Sequence, residues 1–278
     1  MIKNILIGTD GSADSVTAGR YAIDLSKRLK ARLLALHVLD ARALEGPLMA
    51  DVSNWVGAQP YGGQRVSFHK VMEERGRSIL DAFEQESREK GVVPETILSI
   101  GHPVSAILRE EGRAELLVLG RRGEHAEWSG DMLGSSVDRL VRRSRTPCMV
   151  TPADFRPIHR ILAAFDGSGH AGRALQTAAS LAQELAAELT VLTVGKDNEA
   201  SRAIVDEAGK RLAAYGMDIP PVLRPGDPED VILSEAAEWE SDLIVAGTHG
   251  HGRIRERLLG GITHHMLTNA DIALLMVR

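Results

Sequence analysis

Ile5-Leu6-Ile7-Gly8-Thr9-Asp10-Gly11-Ser12 returns 156 residues further on as Ile161-Leu162-Ala163-Ala164-Phe165-Asp166-Gly167-Ser168. Each copy is an aliphatic run too short for a helix that closes on Asp-Gly-Ser, a turn and helix-start signal. Each therefore reads as a buried strand leading into a helix. Working outward, Leu117-Val118-Leu119-Gly120-Arg121-Arg122-Gly123 pairs with Ile244-Val245-Ala246-Gly247-Thr248-His249-Gly250, and Leu133-Gly134-Ser135 with Leu259-Gly260-Gly261. Matches recurring in one order define an internal repeat.

The offset falls from 156 residues at the aspartates to 127 at Gly120 and Gly247, so the first half carries 29 additional residues. Their natural place is an insertion at about 40–64, where Gly46, Pro47, Gly57, Pro60, Gly62 and Gly63 punctuate the chain. Pro152 and Pro157 flank a short connector. Two domains are expected, 1–152 and 158–278.

In the first half, strands are expected at 2–8, 33–39, 92–100, 116–120 and 148–151, with helices at 12–30, 66–91, 103–111 and 135–143. Val71, Ile79 and Phe83 are candidates for the buried face of the long second helix. The second half repeats the order, with strands at 161–165, 189–194, 222–224, 243–247 and 272–277 and helices at 170–185, 200–215, 228–238 and 261–267. Strands that are aliphatic throughout imply burial on both faces, hence parallel strands covered by helices. The fold class is α/β, as two tandem doubly wound parallel-sheet domains of five strands each, Rossmann-like.

Composition narrows the functions. The chain of 278 residues is 44% hydrophobic and 26% charged, which matches an ordinary folded protein. Phe 4, Tyr 3 and Trp 3 are too few for rows of stacking rings, and a net charge of −5 gives no general attraction for a polyanion, so nucleic acid is not an expected partner. Cys148 stands alone and pairs with nothing within the chain. The apolar run at the start stops at Thr9-Asp10, and no run approaches the roughly 18 residues of a membrane span. These features are expected of a cytoplasmic protein without a membrane partner.

In open parallel sheets, ligands gather beyond the carboxyl ends of strands where strand order reverses. The repeated residues are expected there. The loops running from Arg121 to Leu133 and from Thr248 to Leu259 are long for such connections, and each ends on a glycine that opens a helix. Unpaired amides and the positive dipole end at a helix start suit a phosphate, and glycine lets it come close. Ser135 caps that helix or donates its hydroxyl. Arg121 and Arg122 in one loop, and His249, His251, Arg253 and Arg255 in the other, add cations. Asp10 and Asp166 would repel phosphate, so their expected partners are donors on a ribose or base. A nucleotide laid from the aspartate to the glycine-led helix satisfies both.

On these motifs the sequence resembles the universal stress protein family, as a tandem of two such domains covering nearly the whole chain. The ATP-binding branch carries Gly-x2-Gly-x9-Gly-Ser/Thr. Gly247-x2-Gly250-x9-Gly260 keeps that spacing but has Gly261 in place of the hydroxyl residue, while Gly120-x2-Gly123 has ten residues before Gly134-Ser135. The resemblance implies an adenine nucleotide alpha hydrolase-like fold. It also implies an ATP, ADP or AMP site lined by Asp10, Val38, Gly120, Gly123, Gly134, Ser135 and Ser136. A second would be lined by Asp166, Val194, Gly247, Gly250, Gly260, Gly261 and Ile262. Arg121 and His249 join as phosphate-side cations. Mg²⁺ on the phosphates, slow hydrolysis at most, a stress-linked regulatory role, pairing of the two halves through their last strands into an intramolecular pseudo-dimer, and further association into a homodimer are implied in the same way. The first site is expected to be the stronger.

Other readings stay open at this stage. A nucleotide-dependent enzyme of the related α/β class would use the same loops, and a dimerisation scaffold would need only the strands. No Gly-x4-Gly-Lys-Ser/Thr loop and no nucleophile with its base at a recognisable spacing is present, so no catalytic residue is assigned. His249, His251, His264 and His265 lack an aligned carboxylate or cysteine, and no metal ligands are assigned. Arg139, Arg142, Arg143 and Arg145 suit an exposed helix face and its C-terminus. Trp55 and Tyr61 serve either as a lid or as an anchor for the insertion.

Overall fold

The computed structural model describes residues 2–41, 62–123, 133–248 and 260–278. Trp55, Tyr61, His249, Gly250, His251, Arg253, Arg255 and most of the insertion lie outside them.

The first half runs β1 (Asn4–Gly8), α1 (Ala13–Leu29), β2 (Arg32–Asp40), α2 (Gly62–Glu89), β3 (Glu95–Gly101), α3 (Pro103–Glu110), a 3-10 turn (Glu111–Arg113), β4 (Leu116–Gly120), α4 (Ser135–Arg143) and β5 (Cys148–Thr151). The second runs β6 (Arg160–Ala164), α5 (Gly169–Leu185), β7 (Glu188–Val194), α6 (Glu199–Ala213), β8 (Val222–Arg224), α7 (Pro228–Glu238), β9 (Leu243–Gly247), α8 (Gly261–Asn269) and β10 (Ala273–Val277). The strands form one ten-stranded sheet in the order β3-β2-β1-β4-β5-β10-β9-β6-β7-β8. Every pairing is parallel except β5 with β10, where Val150 faces Leu274 and Cys148 faces Met276. Each half thus has its own switch point, β1 beside β4 and β6 beside β9.

Burial explains the unbroken aliphatic strands. Ile5, Leu6, Ile7, Leu116, Leu117 and Val118 are wholly buried, as are Ile244, Val245, Leu274 and Leu275. Alternate side chains enter two different core clusters, one on each face of the sheet. Helices α1 and α5 lie on one of those faces, with Ala18, Tyr21, Ala22 and Leu25 of α1 and Ala174, Leu175 and Ala178 of α5 in the same cluster.

The long helix α2 departs from expectation on one residue. Its inner stripe is Gly76, Leu80, Phe83 and Ser87, each about one helical turn from the next, while Val71 falls off that stripe and is 55% exposed. Gly76 belongs on the stripe because a β-carbon there would lie 2.9 Å from His37, Leu39 and Leu98.

The connector between the halves is tied to α1. Thr17 Oγ1 donates to the Ala153 carbonyl at 2.8 Å, the Arg156 amide donates to the Tyr21 hydroxyl at 3.1 Å, and Phe155 meets the Tyr21 ring edge-on at 4.9 Å. Arg28 reaches the Ile158 and Leu185 carbonyls. Cys148 lies fully buried in β5, and burial pushes its thiol up to about 12. Among the described residues no helix is long and apolar enough to cross a membrane.

Candidate functional site

Both strand-to-helix turns are built alike. Asp10 Oδ1 accepts from the Ser12 amide at 3.0 Å, and Asp166 Oδ1 from the Ser168 amide at 2.9 Å. The intervening Gly11 and Gly167 adopt φ of 79° and 81°, the left-handed region that favours glycine. Ser12 then caps α1 by accepting from the Ser15 amide, and Ser168 caps α5 by accepting from the Ala171 amide. So the turn explanation for Asp-Gly-Ser holds for one carboxylate oxygen. The other, Asp10 Oδ2, lies 2.9 Å from where a β-carbon on Gly123 would sit. Gly123 thus lies directly against that carboxylate, an approach that any larger residue would obstruct.

Gly120 and Gly247 have a packing reason of their own. A β-carbon on Gly120 would fall 2.7 Å from the backbone of Asp14 in the first turn of α1, and one on Gly247 would fall 2.9 Å from the backbone of His170 and Ala171 in α5. These glycines let a helix start press on the end of the neighbouring strand, which brings the aspartate turn and the glycine loop together. Asp14, unremarked in the sequence, completes the join. Its Oδ2 accepts from the Arg122 backbone amide at 2.9 Å and from Arg122 Nε at 3.3 Å. An acid in a first helical turn looks like dipole compensation, so nothing in the sequence sets it apart.

The Gly134 amide donates to the Arg121 carbonyl at 3.0 Å, closing the base of the loop. Gly134 is the N-cap of α4 and Gly260 that of α8, and neither helix has a side-chain cap. By contrast α1, α5, α6 and α7 are each capped by a side chain, from Ser12, Ser168, Asn198 and Asp227. Ser135 is exposed and Ser136 half-buried at the mouth of α4. Val38 and Val194, half-buried toward the ends of β2 and β7, pack against the same face of the sheet. In the first half the structure thus gathers Asp10, Gly123, Gly134 and the start of α4 around the β1–β4 switch point.

Arg121, expected on the phosphate side, points to the other half in this structure: Nη2 donates to the carbonyl of Ala270, the C-cap of α8. Burial lowers its pKa, and the Asp271 and Asp14 carboxylates pull the other way. Arg278 makes the opposite crossing, donating to the Arg142 carbonyl near the end of α4. Arg142 and Arg143 lie in the last turn of α4, where they complement its dipole.

The second half diverges at the helix start. Thr263 Oγ1 donates to the Thr248 carbonyl at 3.1 Å, a bond that Val137 at the matching place in α4 lacks the hydroxyl to make. Gly261 is faced by an acid, since a β-carbon there would lie 3.2 Å from Glu229 Oε1. Glu229 Oε2 lies 3.6 Å from His265 Nδ1, one turn along α8. Sequence reading missed Glu229, although aligning Pro103 with Pro228 sets it opposite Val104.

Comparison with known proteins covers the entire chain. The model of the universal stress protein family matches residues 1–152, 157–210 and 196–278. Universal stress protein Slr1230 of Synechocystis sp. is 29% identical over 287 aligned residues, covering 100% of both chains. Universal stress protein Mb2028c of Mycobacterium bovis is 26% identical over 295 residues, covering 99% of this chain and 96% of that one. A crystal structure of a universal stress protein from Archaeoglobus fulgidus superposes with a TM-score of 0.77 at 20% identity, over 99% of this chain and 98% of the other, and shows the same fold.

Proposed function

The chain belongs to the universal stress protein family, and on that premise we propose that it is a cytoplasmic, stress-linked regulatory module that binds ATP, ADP or AMP in its first half. The observation that carries this reading is the close approach of the glycine loop to the aspartate turn beside the start of α4: a β-carbon on Gly123 would lie 2.9 Å from Asp10 Oδ2, and one on Gly134, the N-cap of α4, 3.7 Å from the Gly123 amide. The Asp10 carboxylate holds the sugar or base, and the amides of the first turn of α4 hold the phosphates. Ser135, exposed at the first position of that helix, adds a hydroxyl donor.

Among the described residues no three His, Cys, Asp or Glu side chains group as a metal cage. Mg²⁺, brought with the nucleotide, would be held by the phosphates and would offset their charge at the start of α4. Hydrolysis, without an assigned base or nucleophile, is slow at most. Pairing of β5 with β10 joins the halves as an internal pseudo-dimer, and association of two chains extends the same arrangement.

Titration calorimetry with ATP and AMP tests the reading. Saturable heat is expected, together with adenine nucleotide released from protein that was purified without added ligand and then denatured. Gly134→Asp, which sets a carboxylate at the mouth of α4, reduces binding. Absence of heat and of released nucleotide removes the proposal.

A further inference from the structure

Glu229 has no counterpart in the first half. Its partner under the Pro103–Pro228 alignment, Val104, is 1% exposed and shares an apolar cluster with Val137 and Leu140 of α4. In the second half the seam between the short helix and the glycine-led helix keeps Ile232, Ala236, Met266 and Leu267 in the apolar cluster, but the position of Val104 carries a carboxylate, and Glu229 is only half-buried. One of its oxygens lies against Gly261, the first residue of α8, and the other is 3.6 Å from His265. The positive end of the α8 dipole thus already faces a negative charge supplied by the chain. The missing hydroxyl at position 261 belongs to the same change, because a serine side chain there would begin 3.2 Å from Glu229 Oε1.

We infer that Glu229 is a specificity-determining residue that keeps nucleotide phosphates off α8, so that each chain takes up one ATP, in its first half. The inference rests on the nucleotide-binding reading above and goes beyond it by assigning the asymmetry to one side chain. Asp166 and its turn persist in the second half. What differs is the anion end, where a phosphate would have to settle beside a carboxylate. Removing that charge and restoring the first-half pair, valine at 229 and serine at 261, opens the second site.

The experiment counts ATP per chain by calorimetry and native mass spectrometry in five proteins. These are the wild type, Gly123→Val, Gly123→Val with Glu229→Gln, Gly123→Val with Glu229→Val and Gly261→Ser, and Glu229→Val with Gly261→Ser. Expected counts are one, none, one, one and two, with the Gln variant at least tenfold weaker than the Val/Ser pair. Glu229→Gln removes only the charge, so the test survives if the Val/Ser pair folds poorly. A wild type that binds two, or a Gly123→Val chain that still binds one, overturns the inference. A wild type that binds one while no Glu229 variant gains a second site overturns it alone. A wild type that binds none fails the nucleotide-binding reading itself.

Discussion

The first turns of α4 and α8 begin from one geometry, a glycine N-cap without a side-chain acceptor, and end in different chemistry. In α4 the helix start is followed by Ser135 and Ser136 and backed by the buried Val104. In α8 it is followed by Gly261 and Ile262 and faced by Glu229. Everything that sets the frame is kept in both halves: the Asp-Gly-Ser turn, the left-handed glycine, the serine cap and the glycine under the neighbouring helix start. Duplication therefore preserves the residues that the backbone needs. On the proposed reading, the residues facing the anion are free to change, because a helix start tolerates either a ligand or an internal carboxylate.

The sharpest way to break this comparison is a side chain at Gly123, against the Asp10 carboxylate. Gly123→Val is expected to weaken ATP binding by at least ~100-fold, about 2.7 kcal/mol, because its β-carbon alone would lie 2.9 Å from Asp10 Oδ2. Calorimetry reads this directly, and unchanged affinity would detach Asp10 from the site. Next in size is the pair of aspartates. Asp10→Ala is expected to cost ~10-fold or more in affinity, the worth of a charge-assisted hydrogen bond, whereas Asp166→Ala leaves the measured binding unchanged. Equal losses in both variants would restore functional symmetry to the halves.

Two smaller effects concern stability. Cys148 occurs in β5 and faces Met276 of β10, so the seam carries a titratable group on one side only. Burial pushes the folded thiol up to about 12, from the 9.0 of an unburied cysteine. An acid whose pKa is raised on folding favours the folded state while it stays protonated, so stability holds below pH 9 and falls as pH rises from there toward 12. Urea melts should show the wild type losing about 1.4 kcal/mol more than Cys148→Ala for one pH unit above 9. An identical pH dependence in the two proteins would contradict the burial account. Smallest are the caps: Ser12→Ala and Ser168→Ala should each cost about 1 kcal/mol. The two losses should match, since the two turns are equivalent, and a large inequality in their melts would show that the repeated turns are not.

Much of the frame was legible in the sequence for the same reason that it is duplicated. Aliphatic strands buried on both faces and Asp-Gly-Ser turns are dictated by local chemistry, and alignment of the halves yielded the repeated succession of strands and helices, while their order in the sheet came only from the structure. The long α2 was harder to read, because Gly76 and Ser87 lie on its buried stripe where an apolar pattern does not mark them, while the apolar Val71 is exposed. At the site, the glycines signal a close approach without saying of what, and Gly120 and Gly247 turn out to face helix backbone. Arg121 looked like a phosphate cation, yet it caps a helix 149 residues away. Asp14 and Glu229 owe their importance to partners that only the folded sheet brings near.

The measurement that tests the central claim most directly is a crystal structure of the chain grown with ATP and Mg²⁺. It should show adenosine beside Asp10 and the phosphates at the amides of Ser135 and Ser136, with Glu229 still against Gly261 in the other half. Phosphates at the start of α8 with Glu229 swung away, or a nucleotide bound far from both switch points, would contradict the account.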